Sequence, residues 1–523
     1  WLAAQWSHRT GSFANRQRAK LTLSSGLLLA LSVLSGVNLH LNISAERPLM
    51  SSDLREQWRA NYEQRYASWA TIAQPTLTHI DAQVDIYPKL GEAVFALNYT
   101  LQNHTAQPIS ELLVGNYSAT PIDELKLSVA HTASRDQQLG QHTLRLANAL
   151  MPGETLQMHS KLNFKQPKHW PAVMPQFVKP SFSYLRGMPL LPSIGFQMAY
   201  QLRDEQLRRR YGLAPLDLAK PSTLFATPQR TAASYDWVTL RSVVSTADGQ
   251  TPLAQGKLIK QWQQQGRNYA EFQTSTPIRN LPVWYSLAGD SLSRQQGDVR
   301  LTVYSPQLNA AAKLNMQAMQ DTLAWMTQHI APYRGTQLSL LATPDIGATG
   351  YALPQIMMIN HRVGFRAQPA ADAGFDQRYR RAVHETAHQW FGHDIGNGVL
   401  ADSAFLNSIF VENLYINNSL YSNDWFDFDS LGQINDLFVQ INKSYPFADS
   451  MLLHAYSGIQ FTGGIEYDTS VNARIELYNQ VNQANLFGCR NPFVQLPFQL
   501  DGINGITNAL LDTSSSLTPT GDA

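Results

Sequence analysis

Two histidines four residues apart, with a glutamate beside the first, set the chemical possibilities of this chain. They are His384, Glu385 and His388. On an α-helix, residues i and i+4 fall on one face, about one turn apart. Two imidazoles so placed can converge on one Zn²⁺, which lowers the pKa of a water it holds towards neutrality. Glu385 stands close enough to take that water's proton and pass it to a leaving amine. The chemistry is metal-assisted attack on a carbonyl. The plain alternative is a pair of core histidines beside a surface glutamate. A chance match in 523 residues is on the order of a per cent.

Such a helix needs a folded body to hold it. At 523 residues the chain exceeds one compact core, so several domains are expected. Hydrophobic content of 44% with 15% charge describes a folded protein rather than a disordered one. A net charge of +1 gives no reason to expect a nucleic-acid partner. The single cysteine, Cys489, excludes an intrachain disulfide and any Cys-rich zinc site. Metal ligands must therefore come from His, Asp or Glu. The chain begins on Trp1 rather than Met, so it is expected to start inside a longer product or after processing.

The expected fold is α+β and multidomain. Residues 1–20 form a basic cytoplasmic segment with Arg9, Arg16, Arg18 and Lys20. Residues 21–43 follow as a transmembrane helix, because 21–41 carry no charged side chain and just reach bilayer length. The basic flank places the N-terminal side in the cytoplasm and the rest of the chain outside. A signal peptide is disfavoured, since no small-x-small cleavage site follows the apolar run. Residues 44–75 read as a juxtamembrane helix or linker, with Glu56, Arg59, Tyr62, Glu63 and Tyr66 at helical spacings. Residues 76–285 alternate with period two between turn signals, which predicts antiparallel β-sheet. Within them the Arg208-Arg209-Arg210 cluster reads as solvated surface. Residues 286–420 mix strands near 299–304 and 337–341 with an amphipathic helix over 314–330. Met316, Met319, Leu323 and Met326 form its core stripe. Residues 421–523 have an uncertain fold.

The run His384-Glu385-Thr386-Ala387-His388-Gln389-Trp390-Phe391-Gly392 resembles the signature of the aminopeptidase N family of gluzincin metallopeptidases. His393 after the glycine, the stretch Glu63-Gln64-Arg65-Tyr66 and the segment 208–212 resemble one branch of it. In that branch the peptidase-like domain is fused to an ABC-type permease. The resemblance covers roughly residues 25–410. It implies a saddle-like β domain, a thermolysin-like α/β domain holding zinc, and a possible helical C-terminal region. It further implies a peptide substrate, contact with membrane lipid, and an ABC transporter ATPase subunit as partner. The setting would be a bacterial cytoplasmic membrane, with the peptidase-like domain on the periplasmic side.

Two departures from the family matter. The family takes its third zinc ligand from a Glu on the following helix, but the matching position here is Ser408, preceded by Asn407. Neither is a normal zinc ligand. Glu412 is the nearest carboxylate, one turn beyond, and His393 and Asp394 are other donors. The family also grips the substrate's α-amine with a Glu ahead of the zinc helix. The corresponding stretch, 353–361, offers His361 as its counterpart and Gln355 as a second substrate-binding candidate. A His cannot counter an ammonium as a carboxylate does, so strict N-terminal trimming is in doubt. For oxyanion stabilisation Tyr456 is the candidate, with Tyr445 and Tyr467 as competitors. Two functions stay open: an active zinc peptidase, or a catalytically impaired binding or assembly domain on a permease.

Overall fold

A computed structural model of the chain describes residues 15–46, 52–117, 120–166, 176–216, 236–329, 331–345, 350–367, 376–390 and 393–394. The first helix, α1 (Asn15–Glu46), keeps its leucines outward: Leu27, Leu29, Leu34 and Leu41 are all more than 60% exposed. Among the described residues nothing covers the Ser24–Ala45 stretch, which is long and apolar enough to cross a membrane. The apolar run over 21–43 is thus helical.

Helix α2 (Ser52–Tyr66) is not a free connector. Trp58, Ala60, Tyr62, Glu63 and Tyr66 are buried, and Trp58 and Tyr62 stack with centroids 5.3 Å apart. Tyr62 also stacks on Phe196 and accepts a hydrogen bond from Gln197 N at 2.8 Å. A third core cluster forms here, joining Trp58, Tyr62 and Tyr66 to Leu113, Leu139, Phe196 and Tyr200. The arginine cluster corrects the surface reading. On the short helix α3 (Glu205–Arg210), Arg208 is buried. Its guanidinium donates to both carboxylate oxygens of Glu63, at 2.9 and 2.6 Å, and to Leu202 O and Ala214 O. Arg209 and Arg210 remain exposed, so solvation holds for two of the three.

The sheet-rich body centres on an eight-stranded sheet that includes β1 (Thr76–Tyr87), β2 (Glu92–Gln102) and β3 (Trp237–Ala247). Alternating burial along β2 reflects its period-two sequence. The expectation of antiparallel pairing holds for most of the sheet, but β3 lies parallel to β1. Parallel neighbours need a long crossover, and here the intervening chain supplies it.

Beyond the body lies a five-stranded sheet: β4 (Asp290–Gln296), β5 (Val299–Ser305), β6 (Gln337–Thr343), β7 (Gly350–Leu353) and β8 (Ile356–Asn360), in the order β4-β5-β6-β8-β7. β5, β6 and β8 run parallel. Every residue of β6 and β8 is buried, as expected where helices cover one face and a second layer the other. Leu341, Ile356 and Met358 pack into the core of the sheet-rich body. Leu338, Leu340, Met357 and Ile359 pack against helices α4 (Ala310–His329) and α5 (Gln377–Ala387). The stripe Met316, Met319, Leu323 and Met326 of α4 is buried there, as its spacing predicts.

Candidate active site

The site is built on α5. Asp376 caps it by accepting from Arg378 N at 2.9 Å, which satisfies an orphan donor of the first turn. Tyr379, Ala382, Val383, Thr386 and Ala387 form the buried face. Tyr379 Oη donates to Asp321 Oδ2 of α4 at 2.7 Å, fixing one helix against the other. Just past the helix end, the Gln389 amide accepts from Gln355 N at 2.7 Å and donates to Leu353 O at 3.0 Å. This clamps the helix to the turn between β7 and β8.

The candidate residues cluster at the C-terminal end of α5. His384 and His388 meet with ring centroids 4.9 Å apart and planes at 87°. Both are half-buried, whereas Glu385 is only 2% exposed. Arg381, one turn earlier, places Nη1 3.7 Å from Glu385 Oε1. Gly350, at the start of β7, closes the other side. A Cβ at Gly350 would lie 1.9 Å from Glu385 Oε1 and 2.9 Å from Arg381 Cδ. The glycine thus makes room for the carboxylate.

The structure brings His384 and Glu385, on α5, together with His388, the residue that caps the helix's C-terminal end. Among the described residues, no three His, Cys, Asp or Glu side chains form a metal-binding group. Two imidazoles are suitable zinc donors but make an incomplete set. The sequence candidates for completing it, Glu412 and Ser408, lie outside the described residues, as do Tyr445, Tyr456 and Tyr467. His393 is held near neutral charge: burial, then the neighbouring charges of His388 and Arg279, push its imidazole down to about 3. Asp394 faces Arg334 at 3.7 Å, and burial raises its carboxyl above the usual range.

The two substrate candidates sit elsewhere on the hairpin. Gln355 occupies the β7–β8 turn at φ 66°, and its Oε1 accepts from Gly256 N at 2.8 Å. Its side chain ties the hairpin to the sheet-rich body. His361 follows β8 and stacks on Phe365 at 5.8 Å. It opens on a cavity of about 490 Å³ shared with Asp290, Tyr304, Thr343 and Asp345. Burial, with Arg366 nearby, lowers its pKa, while Asp345 acts in the opposite direction. Two neighbours of Glu385 escaped the sequence reading, Gly350 and Arg381. The i, i+4 spacing of Arg381 and Glu385 was the available signal for the second.

No protein-family model matches the chain, and no curated protein matches it. Solved structures do. One is a mutant form of an M1 zinc metallopeptidase from Deinococcus radiodurans, at 13% identity and TM-score 0.47, covering 80% of this chain and 90% of that one. The unmutated M1 zinc metallopeptidase of the same organism aligns at 14% identity and TM-score 0.47, covering 79% and 88%. A mutant form bound to a Tyr-Ser-Ala substrate aligns at 14% identity and TM-score 0.45, covering 79% and 94%.

Proposed function

We propose that this chain is a zinc metallopeptidase, aminopeptidase-like in type, that hydrolyses peptide bonds and is anchored in a membrane by α1. One observation carries the reading: α5 sets two imidazoles face to edge at 4.9 Å, with the Glu385 carboxylate on the same helix beside them. His384 and His388 would hold the metal, which supplies a water acid enough to ionise near neutral pH. The Glu385 carboxylate, beside the two imidazoles, would serve as the group that accepts a proton and returns it to the departing nitrogen. Among the described residues β7 is an edge strand of its sheet, a position suited to pairing with an extended peptide. The exposed leucines of α1, with Arg16, Arg18 and Lys20 at its N-terminal end and Arg9 before it, support a bacterial cytoplasmic membrane, with the site on the periplasmic side. An ABC-type permease and its ATPase subunit are the proposed assembly.

Zinc content of the detergent-purified chain tests this. About one zinc per chain is expected after dialysis, lost in His384→Ala. A dialysed chain without zinc would sink the proposal and leave the binding or assembly domain as the function.

Gly350→Ala tests the placement of Glu385. The added methyl displaces the carboxylate, the movable end of a flexible side chain. A shift of about 1 Å at a catalytic group costs on the order of 10²-fold in rate. Overpacking itself is expected to cost about 1–3 kcal/mol. Fluorogenic peptide turnover, with circular dichroism as the folding control, separates the two effects. Unchanged turnover would show that this contact does not position Glu385.

A further inference from the structure

Beside the N-terminal half of α5 lies an open depression of about 510 Å³, whose lining includes Arg362, Arg366, Gln377 and Arg381. No acidic side chain lines it among the described residues. Arg362 and Arg366 belong to a single π-type turn, Arg362–Arg366, a rare geometry that is frequent at functional sites. That turn is fastened to α4: Asn315 Nδ2 donates to Gly364 O at 2.9 Å, and Asn309 Nδ2 donates to Phe365 O at 3.2 Å. Its backbone is further held where Arg362 N donates to Asp345 Oδ1 at 2.8 Å. The guanidinium groups therefore project from a fixed platform.

Their charges are only partly balanced. Arg366 pairs with Asp345, and Arg381 stands 3.7 Å from Glu385. Three arginines against these two carboxylates leave one positive charge over. Arg362 is exposed and has no acidic partner among the described residues. The planar guanidinium fork matches a carboxylate. Arg381 both stands beside Glu385 and lines the depression, so a single residue links an anion bound there to the proposed reaction centre.

We propose that the depression lined by Arg362, Arg366 and Arg381 is a substrate subsite for a peptide carboxylate, so that the enzyme favours peptides bearing an acidic residue. This deepens the peptidase reading and rests on it for the peptide. The test measures binding rather than turnover, on the full chain in detergent with 1,10-phenanthroline, an uncharged chelator, present. The probe is a dansyl-labelled alanine-based hexapeptide amide with two Glu, compared with the same peptide carrying Gln. The acidic peptide should bind about 10-fold more tightly at low salt. That advantage should shrink towards 1 M salt, where the screening length is about 3 Å. Arg362→Gln, an exposed position, should remove most of it, and Arg362→Gln/Arg366→Gln the rest. Equal affinity for the two peptides overturns the proposal, as does an advantage that survives both variants. Displacement of the acidic peptide by equimolar inorganic phosphate also overturns it, since the site would then take any anion. Acidic preference in a chain that holds no zinc keeps this inference while the peptidase reading fails. Hydrolysis without charge preference does the reverse.

Discussion

Glu385→Gln is expected to lower kcat/KM for peptide hydrolysis by about 10²–10⁴-fold, the usual contribution of a general base. The substitution keeps the side chain's size, so the room made by Gly350 still suits it. The amide cannot accept a proton as the carboxylate does. The contact with Arg381 is long, at 3.7 Å, so its weakening has a small effect on folding. Zinc content should stay at the wild-type level, because His384 and His388 are untouched. A chelator should abolish the activity of the unmutated chain. If the Gln variant kept a tenth or more of the activity, Glu385 would not be the proton acceptor.

Arg208→Ala is expected to cost about 3–5 kcal/mol of stability. The change strands the Glu63 carboxylate, whose side chain is only 9% exposed. It also removes donors from the carbonyls of Leu202 and Ala214. The direct loss is smaller than the cost of leaving a charge buried alone. Consequently Glu63→Met/Arg208→Met, which removes both charges, should recover much of the loss. Arg209→Ala, at an exposed neighbour, should stay within about 0.5 kcal/mol of the parent. Urea unfolding monitored by tryptophan fluorescence reads all of these. Equal midpoints for Arg208→Ala and Arg209→Ala would show that the buried pair does not hold α2.

The contrast between these two sites explains what the chain discloses by itself. His384 and His388 are legible because their i, i+4 spacing puts them on one helix face, with Glu385 next to the first in sequence. The stripe from Met316 to Met326 and the alternation along β2 are legible for the same reason, since a period names a buried face. Arg208 reads as solvated because its sequence neighbours are arginines. Its burial is created by Glu63, 145 residues away, and no local pattern carries that contact. The parallel pairing of β1 with β3 and the approach of Gly350 to Glu385 are likewise products of tertiary packing. His361 and Gln355 could be placed on their stretch of sequence, but not in the different surroundings they have at the two ends of β8. The resemblance also points to position 408, with Glu412 the nearest carboxylate, and to Tyr456; all lie outside the described residues.

The docking of α2 limits where the chain can work. Only residues 47–51 separate it from α1, a gap that extended chain bridges over about 20 Å at most. Were α1 to span a bilayer, as proposed, so short a connection would hold α2, and the body it packs on, close to the lipid surface.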